Sequence, residues 1–75
     1  MEHFVDTNKI RKSMIDKNIC KISELSVATG ISRNTLSNVL NNNSTPSMDV
    51  MFRLADFFDW SSEECGRIFF ANKLT

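Results

Sequence analysis

Proline and glycine are scarce in this chain: one of the first and two of the second among 75 residues. So few turn-makers exclude architectures built from many short strands and tight corners. Long apolar runs are missing too. No stretch approaches the ~20 residues that a membrane-spanning helix needs. The opening segment "MEHFVDTNK" lacks the basic-then-apolar order of an export signal, so a cytoplasmic protein is expected, without membrane contact. Two cysteines, Cys20 and Cys65, cannot build a disulfide framework, and neither has a second cysteine at metal-ligand spacing. Both are expected to pack as small apolar groups. The lone histidine, His3, stands near a terminus, so neither a zinc site nor an imidazole-based catalytic pair can be assembled. No metal, cofactor or enzymatic activity is expected. A surplus of positive charge is lacking as well, since nine basic residues meet nine acidic ones. That balance is awkward for a nucleic-acid binder, whose partner usually calls for a basic surface.

What is present fits one small soluble domain spanning residues 1–75, with 41% apolar and 24% charged residues. The charge is also unevenly spread. Residues 7–45 carry six basic and two acidic side chains, whereas residues 46–75 carry three and five. One half could therefore face a polyanion while the other faces away.

The apolar spacing is helical throughout. Residues 1–6 read as a loose lead-in. Thr7 suits the N-cap of a first helix to about Lys17, with Ile10, Met14 and Ile15 inward, and Asn18 suits its left-handed exit. A short second helix fits Ile22 to Thr29, with Ile22, Leu25 and Ala28 on one side, and Gly30 stops it with a positive φ. Ser32 caps a third helix over about Arg33–Asn41, inward at Leu36, Val39 and Leu40. Ser47 caps a fourth through Phe58, with Met48, Met51, Leu54, Ala55 and Phe58 at helical spacing. Ser61 with Glu64 makes a capping box for a fifth, about Ser62–Phe70. The expected fold class is all-α, five short helices around one core.

Only "GIS" joins the second and third helices, which forces a steep pairing of the helix-turn-helix kind over residues 22–41. With Leu25, Ala28, Ile31, Leu36 and Val39 as its seam, the opposite side of the third helix carries Arg33, Asn34, Ser37 and Asn38. Arginine can bond guanine bidentately, asparagine can do the same to adenine, and serine can bond several bases. An exposed polar face is the bland alternative, since every small helical domain has one. The steep pairing, which thrusts the start of the third helix outward to where a major groove can admit it, favours DNA.

The stretch "ISELSVATGISRNTLSNVLNNNSTPSMDVMFRLADFF" resembles the lambda-repressor/Cro-like (XRE) family of DNA-binding domains over about residues 8–65. Leu25, Gly30, Ile31, Ser32, Pro46, Ser47, Leu54 and Ala55 carry the likeness. It implies base contacts from Ser32, Arg33, Asn34 and Asn38, which Ser37 would join, and phosphate contacts from Asn41, Asn43 and Ser44. Lys21 and Ser23, at the entrance to the second helix, are further phosphate candidates. The chain departs from the family at Ile22, where glutamine is common, and at Leu40, where an acidic residue is. It also has Asn42 in place of the usual glycine and Asn43 in place of a basic residue. Neutral amides then carry the phosphate contacts, and a shallow salt dependence is expected.

The tail segment "WSSEECGRIFFANKLT" holds more apolar surface than an edge helix can hide. Trp60, Ile68, Phe70 and Leu74, on the fifth helix and tail (residues 61–75), are the expected homodimer surface. The alternative is that the tail folds back on its own core. The overall expectation is a Cro-like transcriptional repressor, similar to small phage or prophage regulators. It would bind double-stranded DNA through the major groove at a pseudo-palindromic operator, with no small-molecule effector. A second class stays open: an antitoxin or anti-repressor module binding a protein partner through the same apolar surface.

Overall fold

The computed structural model describes residues 5–70. Within them the chain forms α1 (Thr7–Asp16), α2 (Ile22–Thr29), α3 (Arg33–Leu40), α4 (Met48–Phe58) and α5 (Ser62–Phe69), with no strand among the described residues. Serines open three of these helices. Ser32, Ser47 and Ser61 each accept the N–H of the residue three further on, and Glu64 returns the favour to the Ser61 amide at 2.9 Å. For α1 the cap is Asp6 rather than Thr7, accepting from the Lys9 amide at 3.4 Å. Asn18, Asn42 and Asp59 take left-handed conformations at or just beyond the exits of α1, α3 and α4, as short polar side chains tolerate.

One core fills the centre. Ile10 and Met14 of α1, Leu25 of α2, Leu36, Val39 and Leu40 of α3, and Val50, Met51, Leu54 and Phe58 of α4 meet Ile68 and Phe69 of α5. An aromatic run closes the α4–α5 side. Trp60 stacks on Phe58 at 5.0 Å and meets Phe69 edge-on at 5.9 Å, while its indole N–H donates to Ser13 Oγ at 3.1 Å. A buried-tending tryptophan with its one donor satisfied locks α1 to the α4–α5 corner.

Several expectations change here. Ile15 points outward, 71% exposed, and Ile19, just past the left-handed Asn18, packs against the core instead. Ala28 is exposed and Thr29 takes the seam position, its hydroxyl donating back to the Leu25 carbonyl at 2.8 Å. Met48 is exposed, and Val50 is the inward residue of that turn. Cys20 is exposed as well, so only Cys65 is partly packed, with burial first and Glu64 second pushing its thiol pKa up. The lead-in ends earlier than residue 6, because Val5 is fully buried and the Asp6 amide donates to the Ile68 carbonyl at 2.7 Å.

Candidate nucleic-acid interface

The corner between α2 and α3 is knitted by its own small residues. Gly30 adopts φ 77°, and its amide donates to the Ser26 carbonyl at 2.9 Å, ending α2. Thr29 Oγ1 accepts the Ile31 amide at 3.3 Å, and Ser26 Oγ donates to the Ile31 carbonyl. Ile31 itself is buried, which drives the chain inward before Ser32 turns it out into α3. From outside, Arg53 of α4 donates through Nη1 to the Thr29 carbonyl at 3.3 Å. The corner leading into α3 is thus held by the hydrogen bonds of Ser26, Thr29 and Gly30, by the buried Ile31 and by a cation on the last carbonyl of α2, a group that favours one.

With Leu36, Val39 and Leu40 inward, Arg33, Asn34, Ser37, Asn38 and Asn41 fall on the opposite side, within about 140° of arc at the helical spacing of ~100° per residue. Arg33 and Asn34 are exposed, and Ser37 and Asn38 are half-buried. Arg33 takes no part in the ion pairs among the described residues, which join Lys17 to Asp59, Arg53 to Asp49 and Arg67 to Glu63. Ser32 is differently placed. Its hydroxyl accepts from the Thr35 amide at 3.2 Å and gives its own proton to Thr35 Oγ1 at 2.8 Å, so both roles go to holding the start of α3. Ser37 Oγ accepts from the Asn41 side-chain amide at 3.3 Å, one turn on.

Around this face lie the phosphate candidates. Asn41, Asn43 and Ser44 are exposed on the loop leaving α3, and Lys21 is exposed at the start of α2 with Ser23 half-buried beside it. Glu24 escaped the sequence reading; its carboxylate accepts the amides of Cys20 at 2.8 Å and Lys21 at 3.2 Å. Those bonds, the Cys20 one foremost, hold its pKa below the usual carboxylate value, so a fixed negative charge sits beside Lys21. Glutamate at the third position of a helix was the available signal. For Arg53 the spacing pointed to an acidic neighbour such as Asp49, Asp56 or Glu63, and Asp49 is the partner, but its reach to Thr29 was not legible.

Several cations of the basic half stand beside acidic groups. Lys9 and Lys12 line a groove with Asp16, Glu64 and Arg67, and Lys17 pairs with Asp59 at 4.0 Å while lying over the Phe57 ring. The face of α3 keeps Arg33 as its own cation, with Lys21 offset by Glu24.

Of the residues expected to form a dimer surface, Ile68 belongs to the core at 3% exposure and cannot meet a partner. Trp60 is half-buried, stacked on Phe58 and edge-on to Phe69, Phe70 is exposed at the rim, and Leu74 lies outside the described residues. Outward apolar side chains stand on several helices: Ile15 of α1 is 71% exposed, Val27 of α2 87%, and Met48 and Phe52 of α4 58% and 64%, the last two beside a groove reaching Gly66 and Phe70. No helix among the described residues is long and apolar enough to cross a membrane.

Two helices joined by a glycine corner, the second presenting a polar face, define a helix-turn-helix domain. Residues 9–64 match the Cro/C1-type helix-turn-helix DNA-binding domain, about three quarters of the chain, and the protein belongs to that family. No curated protein and no solved structure matches the chain significantly.

Proposed function

We propose that the protein is a sequence-specific double-stranded DNA-binding transcriptional regulator, a repressor that acts without catalysis by covering its operator as a homodimer. The observation that carries this reading is the exposed Arg33–Asn34 pair at the start of α3, immediately past a corner held by Thr29 from within and by Arg53 from α4. Arg33, Asn34, Ser37 and Asn38 enter the major groove and read base edges. Ser32 keeps the helix start in place and meets the duplex only from its cap. Lys21, Ser23, Asn41, Asn43 and Ser44 hold the flanking phosphates, which set position and carry no sequence information. Two copies joined through the outward face of α4 would present two such helices to half-sites one turn apart, ~34 Å on a pseudo-palindrome.

Selection from random duplexes at ~50 mM salt tests the reading. A palindromic motif should be enriched, and Arg33→Ala should weaken binding to it by ~1–3 kcal/mol while changing non-specific binding far less. Enrichment of no motif would defeat it and leave the Met48–Phe52 face as a surface for an unlike protein.

A further inference from the structure

Asn42 leaves α3 with φ 55°, a backbone setting in which glycine carries no steric cost. The side chain that stands there instead is engaged through both its oxygen and its nitrogen. Its Oδ1 accepts the Val5 amide at 2.7 Å, and its Nδ2 donates to the Val5 carbonyl at 3.1 Å. One side-chain amide therefore satisfies both backbone groups of a residue 37 positions away. Val5 is in turn fixed, its side chain wholly buried and the next amide, Asp6, bonded to the Ile68 carbonyl of α5. The other hydrogen bonds of the Asn41–Ser44 segment, among the described residues, run back into α3 itself: Asn41 to Ser37, Asn42 to Val39 and Asn43 to Asn38. Without the Asn42 amide this segment would follow the fraying end of α3 alone.

We propose that Asn42 is a positioning residue for the phosphate-contacting loop. Its amide fastens the exit of α3 to the segment entering α1 and, through Asp6, to α5. Asn41, Asn43 and Ser44 are thereby held at a fixed height beside the face of α3. The consequence for affinity rests on the DNA reading above; the fastening itself does not.

Asn42→Gly and Asn42→Asp separate the contributions. The first keeps an allowed backbone and deletes the amide, and the second keeps an acceptor for the Val5 amide but loses the donor. Backbone preference alone predicts that Asn42→Gly is at least as well ordered as the parent. Fastening predicts the reverse. Hydrogen exchange at the Val5 amide should accelerate at least about tenfold in Asn42→Gly, and less in Asn42→Asp. Order parameters of the Asn43 and Ser44 amides should fall. Affinity for the selected duplex should drop several-fold, equally for matched and mismatched sites, because a displaced phosphate contact costs binding without altering base choice. Unchanged Val5 exchange, or a loop that stays ordered and binds as before once the amide is gone, would overturn the assignment. Should the parent protein bind no duplex, the functional reading falls alone, and Val5 exchange with loop order still decides the role of Asn42.

Discussion

The guanidinium of Arg53 reaches from α4 to the backbone carbonyl of Thr29, 24 residues earlier, while its Nε holds Asp49 at 2.9 Å. The aspartate one turn back fixes the side chain so that its far end caps α2 where α2 gives way to Gly30. Arg53→Met should destabilise the fold by roughly 1 kcal/mol, the net value of a charge-assisted bond discounted for a half-exposed donor. Asp49→Ala, which removes the exposed ion pair and the acidic charge in the first turn of α4 but leaves the Thr29 bond possible, should cost about 0.5 kcal/mol. Paired denaturant titrations check the difference. Equal losses from the two variants would mean that the contact with Thr29 contributes nothing.

Gly30 answers to the same arginine. A Cβ placed there would lie 3.0 Å from Arg53 Nη1, on a backbone at φ 77°. Gly30→Ala therefore meets two separate costs: about 1–2 kcal/mol for a left-handed alanine, and displacement of the guanidinium from Thr29. In an Arg53→Ala background only the first cost remains. The double-mutant cycle should show the two changes coupled by about 0.5–1 kcal/mol, each masking part of the other. Simple additivity would place the arginine elsewhere in solution.

Local signals in the sequence located the frame of the domain and missed its fastenings. The bounds of α2, the glycine corner, the serine caps at 32, 47 and 61 and the polar side of α3 all follow from neighbours within four positions, where capping and periodicity operate. Misplaced residues fall where two candidates within one helical turn compete for one inward position. Ile15 lost to Ile19 because the left-handed Asn18 redirects the chain, and Ala28 lost to Thr29 because a hydroxyl can be buried once it bonds the carbonyl four residues back. Asn42 with Val5, and Arg53 with Thr29, join residues 37 and 24 positions apart. No periodicity encodes such pairs, and an asparagine in a triple-asparagine run reads only as a helix exit.

Glu24 links stability and binding to charge. Its folded pKa is lowered by the amides of Cys20 and Lys21, so its stabilising effect is complete above the unfolded carboxylate value of ~4.3 and fades as pH falls through the lower folded value. Glu24→Gln removes this titration, and the variant's melting temperature should vary less than the parent's between about pH 5 and 3. The same substitution deletes a negative charge beside Lys21. Non-specific duplex affinity at low salt should therefore rise, whereas Lys21→Ala should lower it and reduce the salt slope by about 1. A rise in affinity without any change in the acid limb of the melting curve would separate the two roles.

Burial decides which apolar side chains can serve a second copy of the chain. Phe52 is 64% exposed and Ile68 is 3% exposed, although both belong to the α4–α5 side. Phe52→Lys places a cation where water already reaches, so monomer stability should shift by no more than about 0.5 kcal/mol. Ile68→Lys buries an unpaired charge in the core and should leave little folded protein, since such a charge costs several kcal/mol. If two copies meet through α4, sedimentation at high micromolar concentration should show a dimer for the parent and a folded monomer for Phe52→Lys. Affinity for a single half-site should be kept while affinity for the palindrome falls. A parent protein that sediments as a monomer under those conditions, or a Phe52→Lys variant that still dimerises, would remove α4 as the joining face.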